Sequence, residues 1–409
     1  MTVDMRTRVD GPAVPIDPDR FFSDDFPAAL DAHAEAVIPG LPFVAPRPMV
    51  VDVDDMSWTL RADGGRVTIT RGAEDAKVRV RFTQEQLEDL VHDQATIMSL
   101  WAGNTLDQSG GNPGHLMDWW LVLRAALDNT PMYTPGSIAL NDVDGTPLDL
   151  HRSFRPDDDP EVMRHFLETA GFLHIQGLFA EDEMNAISAD MDRAVSTYEQ
   201  GDGKSWWART ADGESRCVRM QGFSNHSEGA AGILEDDRFL AIAKIPQAGH
   251  TFRRNRTHNR IEALFKPIGV TEGISDIPWH KDCGIGRHSY DCCGLTVGIS
   301  VTGADEVSGQ LWAMAGSHRA LVWSGVEQPD LDLPKIALPT KTGDVTVHLS
   351  CTMHMAQPPT ERERRVMYSG FGLPTLETSS ADANLEGRKR VGNVREQAPL
   401  TVLSKHFKS

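Results

Sequence analysis

Apolar and polar residues alternate along the early part of the chain and then change period, which predicts a small sheet followed by helix. Trp58-Thr59-Leu60-Arg61 and Arg66-Val67-Thr68-Ile69-Thr70 flank Asp63-Gly64-Gly65, a hairpin signal in which glycine supplies positive φ. Ala76, Val78, Val80 and Phe82 alternate with Lys77, Arg79 and Arg81, giving a third strand with one polar face. Thr83-Gln84-Glu85-Gln86 then has the form of a capping box, with Leu87, Leu90 and Val91 as the helical stripe behind it. The expectation is antiparallel sheet followed by helix. A second helix is expected at Trp119-Trp120-Leu121-Val122-Leu123, beyond Ser99-Leu100-Trp101-Ala102-Gly103-Asn104 and Gly110-Gly111.

Strand patterns dominate later. Asp159-Pro160 starts a helix carrying Met163, Phe166 and Leu167, since proline suits the first helical turn. Leu295, Val297, Ile299 and Val301 alternate with Thr296, Gly298 and Ser300, the period of a strand with one face in a core. Val345, Val347 and Leu349 repeat that period, and Val366 to Phe371 reads as a further strand directly after Arg364 and Arg365.

Between these strands lies the candidate chemistry. In Trp279-His280-Lys281-Asp282 an imidazole and a carboxylate are two residues apart, and on an extended strand they point to one face. Two histidines and one carboxylate on one face of a metal leave the opposite positions open, which suits non-haem Fe(II) binding a co-substrate and O2 together. A third ligand is expected downstream of Gly343-Asp344, where His348 and His354 both occur at an even spacing. An arginine at the mouth of the strand after Arg364 and Arg365 would take a carboxylate in two parallel hydrogen bonds. Alternation lets only one of the pair face inward.

These residues resemble the phytanoyl-CoA dioxygenase family of Fe(II)/2-oxoglutarate oxygenases. The resemblance covers roughly the C-terminal two-thirds of the chain. It rests on Gly171-Phe172-Leu173-His174-Ile175-Gln176-Gly177-Leu178-Phe179, on His280-Lys281-Asp282, on Gly309 to Arg319 with Ala315-Gly316-Ser317-His318-Arg319, and on the Gly343-Asp344 approach to His354. It implies a double-stranded β-helix (jelly roll), iron held by His280, Asp282 and His354, and 2-oxoglutarate and O2 as co-substrates. It also implies that an arginine, best Arg364, pairs with the far carboxylate of 2-oxoglutarate, and it favours His354 over His348. Related halogenases have a small residue in place of the carboxylate, so Asp282 implies hydroxylation or another oxygenase outcome. The early unit resembles a sterol-carrier-protein-type domain, a family that holds lipids or fatty acyl groups, which would direct the enzyme toward an acyl or lipid-like small molecule.

Other residues have plainer readings. His318 reads as a loop residue and His288 as a surface histidine beside the metal strand. Trp206, Trp207 and Arg209 would form a substrate lid or pack against a core. Zinc on Cys283, Cys292 and Cys293 with His280 lacks the paired Cys-x2-Cys spacing that structural zinc prefers. Rival functions are a lipid carrier with an idle jelly roll, and a metal-dependent cupin hydrolase or isomerase that makes no use of 2-oxoglutarate.

At 409 residues the chain is long enough for two domains, and its formal net charge of -19 argues against nucleic acid as a partner. Local basic clusters remain at Arg253, Arg254, Arg256 and Arg260, and at Arg388, Lys389, Arg390 and Arg395; a charged, solvated edge is the simplest reading. The five cysteines form no regular framework, and Fe(II) suits a reducing compartment. With no apolar leader in Met1 to Asp10 and no membrane span, a cytoplasmic location is expected. The expected organisation is α+β in two domains: a sterol-carrier-like α/β unit over 20–130, a linker over 131–156 containing Arg155-Pro156, a jelly roll with flanking helices over 157–378, and an extension over 379–409.

Overall fold

The computed structural model describes residues 15–102, 105–252, 261–273, 276–283, 294–326, 328 and 330–373. His288, Cys292, Cys293, the arginine cluster at 253–260 and the basic residues beyond 379 lie outside the described residues.

The first unit is a five-stranded sheet in the order β3-β2-β1-β4-β5. Its strands are β1 (Met49–Val53), β2 (Met56–Asp63), β3 (Arg66–Arg71), β4 (Val78–Phe82) and β5 (Asp107–Gly110). The hairpin forms at the expected place, with Gly64 at φ 59 and Gly65 at φ 79, the two consecutive positive values that a tight turn between twisted strands needs. Thr83 caps the helix α1 (Gln84–Val91) in a reciprocal box with Gln86.

One expectation is corrected: the sheet is mixed. β1 pairs with β4 in parallel, and β1 went unseen in the sequence because all five of its residues are buried. A central strand covered on both faces reads as an apolar run without alternation. Short helix α2 (Ile97–Ala102) and the long α3 (Pro113–Asp128) complete this unit. Asn112 caps α3 and Pro113 fills its first turn. Leu116, Trp119 and Trp120 of α3 join Phe22, Phe26, Val51 and Leu60 in one apolar core.

The second unit opens with helix α4 (Pro160–Ala170), capped by Asp159 and ended by Gly171 at φ 90. That glycine is required twice over, because a Cβ there would also run into His318 and Thr352. The large sheet has nine strands, in the order β11-β7-β8-β10-β17-β12-β15-β6 with β9 on β17. They are β6 (Phe172–Ile175), β7 (Ser205–Thr210), β8 (Ser215–Met220), β9 (Thr251–Phe252), β10 (Glu262–Lys266), β11 (Val270–Glu272), β12 (Leu295–Ser300), β15 (Val345–Leu349) and β17 (Arg364–Gly372). Every pairing in it is antiparallel. A smaller antiparallel sheet, β14-β13-β16, comprises β13 (Leu311–Met314), β14 (Lys335–Leu338) and β16 (His354–Ala356).

Side chains of both sheets, among them Val297, Ile299, Val347, Ala313 and Leu338, share one core with α4 and with helix α5 (Glu181–Ala194). Asp344 fastens the edge of the large sheet: its carboxylate accepts from His174 Nε2 at 3.0 Å, from the backbone N–H of Gly177 at 2.8 Å and from that of Lys341 at 2.8 Å. Burial alone would raise its pKa, but the hydrogen bonds win and hold it below the usual aspartate value. Among the described residues no helix is long and apolar enough to cross a membrane.

The two units meet at the segment 320–326. Leu321 is part of the first unit's core, and Trp323 Nε1 donates to Asp118 Oδ1 of α3 at 3.0 Å. The same segment reaches the metal-ligand candidates: Gly325 bridges His280, and Lys281 N–H donates to Ser324 O at 3.0 Å.

Candidate metal and co-substrate site

His280 lies on an isolated bridge between Gly325 and His354 rather than within a longer strand. The alternation expected of the His-x-Asp triplet still holds locally. Lys281, fully buried, sends its Nζ the other way to the carbonyls of Ser317 and Ala320, at 3.0 and 3.2 Å. His280 and Asp282 thereby stay together, and two reciprocal backbone hydrogen bonds of 3.0 Å join His280 to His354.

One ligand atom from each of His280, Asp282 and His354 lies within 4.8 Å of the others. The Nε2 atoms of both histidines are 3.6 Å from Oδ1 of Asp282. Their opposite ring nitrogens face carbonyls: His280 Nδ1 donates to Pro278 O at 2.7 Å, and His354 Nδ1 donates to Thr352 O at 2.9 Å. A carbonyl only accepts, so each Nδ1 carries a proton, and Nε2 is the ring nitrogen left to face Asp282. Burial pushes the His354 pKa well below its ordinary value, which keeps this imidazole neutral. Burial would raise the Asp282 pKa, but the surrounding imidazoles outweigh it and hold the carboxyl well below the usual range. Neutral imidazoles with an ionised carboxylate are the protonation states that metal ligation needs.

His348, the rival third ligand, is also close. Its Nε2 is 3.5 Å from Oδ2 of Asp282, its ring centroid is 4.2 Å from that of His354, and it does not join the set of three.

The arginine pair separates as alternation requires. Arg365 leaves the site: its Nη1 donates to Ser188 O and Oγ and to Asp192 on α5, at 2.8, 2.9 and 2.9 Å. Arg364 is 3% exposed and turns inward, and its Nε and Nη2 have no hydrogen-bond partner. A buried guanidinium left short of acceptors is costly unless something anionic completes it. It lines a cavity of about 20 Å³ whose floor is Gly298, Ser300, Thr346, Val366 and Tyr368 of the large sheet and whose roof includes Leu311 and Leu338 of the small one.

The inner face of this sheet carries what sequence reasoning missed. Thr296, Gly298 and Ser300 line up along β12 from Asp282 toward Arg364, with Thr346 beside Gly298 on β15. Their small polar side chains between apolar ones gave the strand its period, but an enclosed polar face looks like a solvent face in sequence. A Cβ on Gly298 would press against Thr346 Oγ1 and Tyr368 at 2.8 and 3.0 Å, so glycine lets these side chains pack at the cavity floor. Lys266, opposite Arg364 in register on β10, adds a second buried cation, paired with Asp276. Burial, opposed by Asp276 and reinforced by Arg364, pushes the Lys266 pKa down to about 8.

Other candidates fall elsewhere. His318 is buried and donates from Nε2 to Glu168 O at 2.9 Å, and burial lowers its pKa to about 3, so it stays neutral and structural. Trp206, Trp207 and Arg209 are strand residues of β7; Arg219 lies 4.3 Å above the Trp206 ring. The first unit encloses an apolar cavity of about 50 Å³ lined by Phe22, Phe26, Leu60, Leu116, Trp119 and Trp120, among others.

The phytanoyl-CoA dioxygenase (PhyH) family model matches residues 167–366, a span that contains the histidines, Asp282 and Arg364. A search of curated proteins matches none to this chain. Similar solved structures include EctD from S. alaskensis with 2-oxoglutarate and 5-hydroxyectoine, at 15% identity over 59% of this chain and 83% of that one, TM-score 0.44. AviO1 from Streptomyces viridochromogenes Tue57 is 17% identical over 54% of this chain and 98% of its own, TM-score 0.42. The epimerase SnoN, in complex with Fe3+, alpha ketoglutarate and nogalamycin RO, is 18% identical over 55% of this chain and 92% of its own, TM-score 0.42.

Proposed function

We propose that His280, Asp282 and His354 hold the iron and that Arg364 anchors 2-oxoglutarate in residues 167–366, an iron- and 2-oxoglutarate-dependent dioxygenase domain of the phytanoyl-CoA dioxygenase family. The observation that carries this is the conjunction of three Lewis-basic atoms within 4.8 Å, one of them on His354 of the small sheet, with a buried guanidinium on β17 of the large sheet whose Nε and Nη2 lack acceptors. The two-sheet arrangement with a shared core supports a double-stranded β-helix. Iron, when bound by these residues, would supply O2 activation coupled to decarboxylation of 2-oxoglutarate to succinate and CO2.

The chain's own residues do the rest. Both histidines are fixed by Nδ1–H bonds to carbonyls, which orients the Nε2 lone pairs before any metal arrives. Arg364 meets the far carboxylate of the co-substrate with charge-assisted hydrogen bonds, with Lys266 as a second positive charge beside it. Leu311, Leu338 and Val366 keep that end of the site dry. Asp282 keeps a carboxylate among the ligands, so the outcome is hydroxylation or another oxygenase reaction at a C–H bond of a small molecule.

The Nε and Nη2 of Arg364, buried without acceptors, weigh against a hydrolase or isomerase without 2-oxoglutarate, since such an enzyme has no use for an anion anchor there. In the first unit, an interior of about 50 Å³ holds a few water-sized groups. Together with the Trp323–Asp118 bond, this supports bracing of the metal strand over lipid carriage. A sterol-carrier-type ligand role would show as saturable, lipid-displaceable binding of a fluorescent fatty acid to the full chain. Cys217, a free and buried thiol, suits a reducing compartment such as the cytoplasm.

The deciding experiment measures succinate formed from 2-oxoglutarate with and without Fe(II), across a panel of acyl, amino-acid and secondary-metabolite substrates. Turnover that requires Fe(II) and is lost in Asp282→Ala is expected. Turnover undiminished in Asp282→Ala and His354→Ala would overturn the ligand assignment.

A further inference from the structure

Among the described residues, His348 is the one buried histidine near the metal ligands whose place neither the ligand set nor the co-substrate anchor accounts for. It is 1% exposed, its Nδ1 has no hydrogen-bond partner, and its Nε2 has only a long 3.5 Å contact with Asp282. Leaving a buried ring so poorly satisfied is costly, so the position calls for a functional reason.

The register supplies one. His348 on β15 lies directly opposite Thr296 on β12, and cross-strand partners project from the same face of a sheet. Both reach the same atom. Thr296 Oγ1 donates to Oδ2 of Asp282 at 2.8 Å, and His348 Nε2 stands 3.5 Å from that oxygen. His280 and His354 instead approach Oδ1, each at 3.6 Å. The two carboxylate oxygens are thus divided: Oδ1 faces the two ligand histidines, and Oδ2 faces Thr296 and His348.

The alternative, a fourth protein ligand, fails on distance. Two ligand atoms on opposite sides of one metal, each bonded at roughly 2.1 Å, are about 4.2 Å apart. Every ligand atom should therefore lie within the 4.8 Å that encloses His280, Asp282 and His354, and His348 does not join them. A fourth ligand would also take a position that the co-substrate and O2 need.

We propose that His348 is a positioning residue which, with Thr296, holds Oδ2 of Asp282 and so presents Oδ1 to the metal as a single-oxygen ligand. The proposal rests on the iron reading above. Its ring, at 4.2 Å and 44° to that of His354, also limits rotation of that ligand.

The test uses Co(II) as the probe, titrated into the metal-free full-length protein and read by its visible absorption. His348→Leu and Thr296→Val should each weaken Co(II) binding by about 10–100-fold while leaving the shape and intensity of the cobalt bands unchanged. Thr296→Ser should restore affinity, and the double variant should lose less than the product of the single losses, since both act on one oxygen. If His348→Leu changes band intensity or energy, the histidine is a ligand and the proposal falls. If both single variants bind as tightly as the parent, no positioning role exists. Should His348→Leu not fold, Thr296→Val and Thr296→Ser carry the same decision. Failure of the underlying reading looks different: Co(II) binding would then survive unchanged in His280→Ala and Asp282→Ala.

Discussion

Asp118 occupies the junction of the two units, on α3, with Oδ1 accepting from Trp323 Nε1. It is 9% exposed. Burial raises its carboxyl pKa from 3.8 to about 6, against the lowering effects of the Trp323 hydrogen bond and of Arg47. Between those two values the folded protein binds more protons at this site than the unfolded chain does. Stability therefore falls as pH rises through the window, and the full penalty of an ionised, desolvated carboxylate is present above about pH 6. The gap corresponds to about 3 kcal/mol as a ceiling. Asp118→Asn removes the charge and keeps an oxygen for Trp323, but its amide N–H groups need partners of their own, so a gain of about 1–3 kcal/mol at neutral pH is expected. Urea unfolding of both proteins at pH 4.2, 5, 6 and 7.5, followed by tryptophan fluorescence, isolates the effect because other titrations cancel in the difference. The advantage of the variant should grow by about 2 kcal/mol between pH 4.2 and a plateau above pH 6. A difference that is flat with pH, or a variant less stable than the parent at pH 7.5, would refute the reasoning.

Arg364→Ala should raise the KM for 2-oxoglutarate about 10–100-fold with little change in Fe(II) affinity, whereas Arg365→Ala should leave that KM unchanged, as initial-rate kinetics would reveal. Lys266 should make 2-oxoglutarate binding weaken as pH rises through about 8, because the cation beside Arg364 is lost; Lys266→Met should bind more weakly and show no such step in a KM–pH profile. Gly343→Ala should cost on the order of 3 kcal/mol in chemical denaturation, because φ is +84° and the new Cβ would run into the carbonyl oxygen of Phe179. Replacing His354 by Ala should abolish Fe(II)-dependent succinate formation; retention of full activity there, with loss in a His348→Ala enzyme, would reverse the two histidines.

Local chemistry made much of this protein legible before folding was considered. The Asp63-Gly64-Gly65 turn, the Thr83 cap and the Asp159-Pro160 start are short-range signals, satisfied by atoms a few residues apart, and each appears where the sequence places it. The His-x-Asp spacing likewise brings His280 and Asp282 together through the backbone alone. Strand periods at 295–301 and 345–349 were readable for the same reason, since alternation is a property of the extended chain. What folding alone decided is everything that depends on which face meets which neighbour. Periodicity could not say that the Thr296-Gly298-Ser300 face is enclosed rather than wet, that β1 lies parallel to β4, or that Arg364 rather than Arg365 turns inward. Nor could it divide Asp282 between two histidines on one oxygen and Thr296 with His348 on the other. Such contacts join residues far apart in the chain, and their geometry is set by sheet register and by the packing of two sheets on one core.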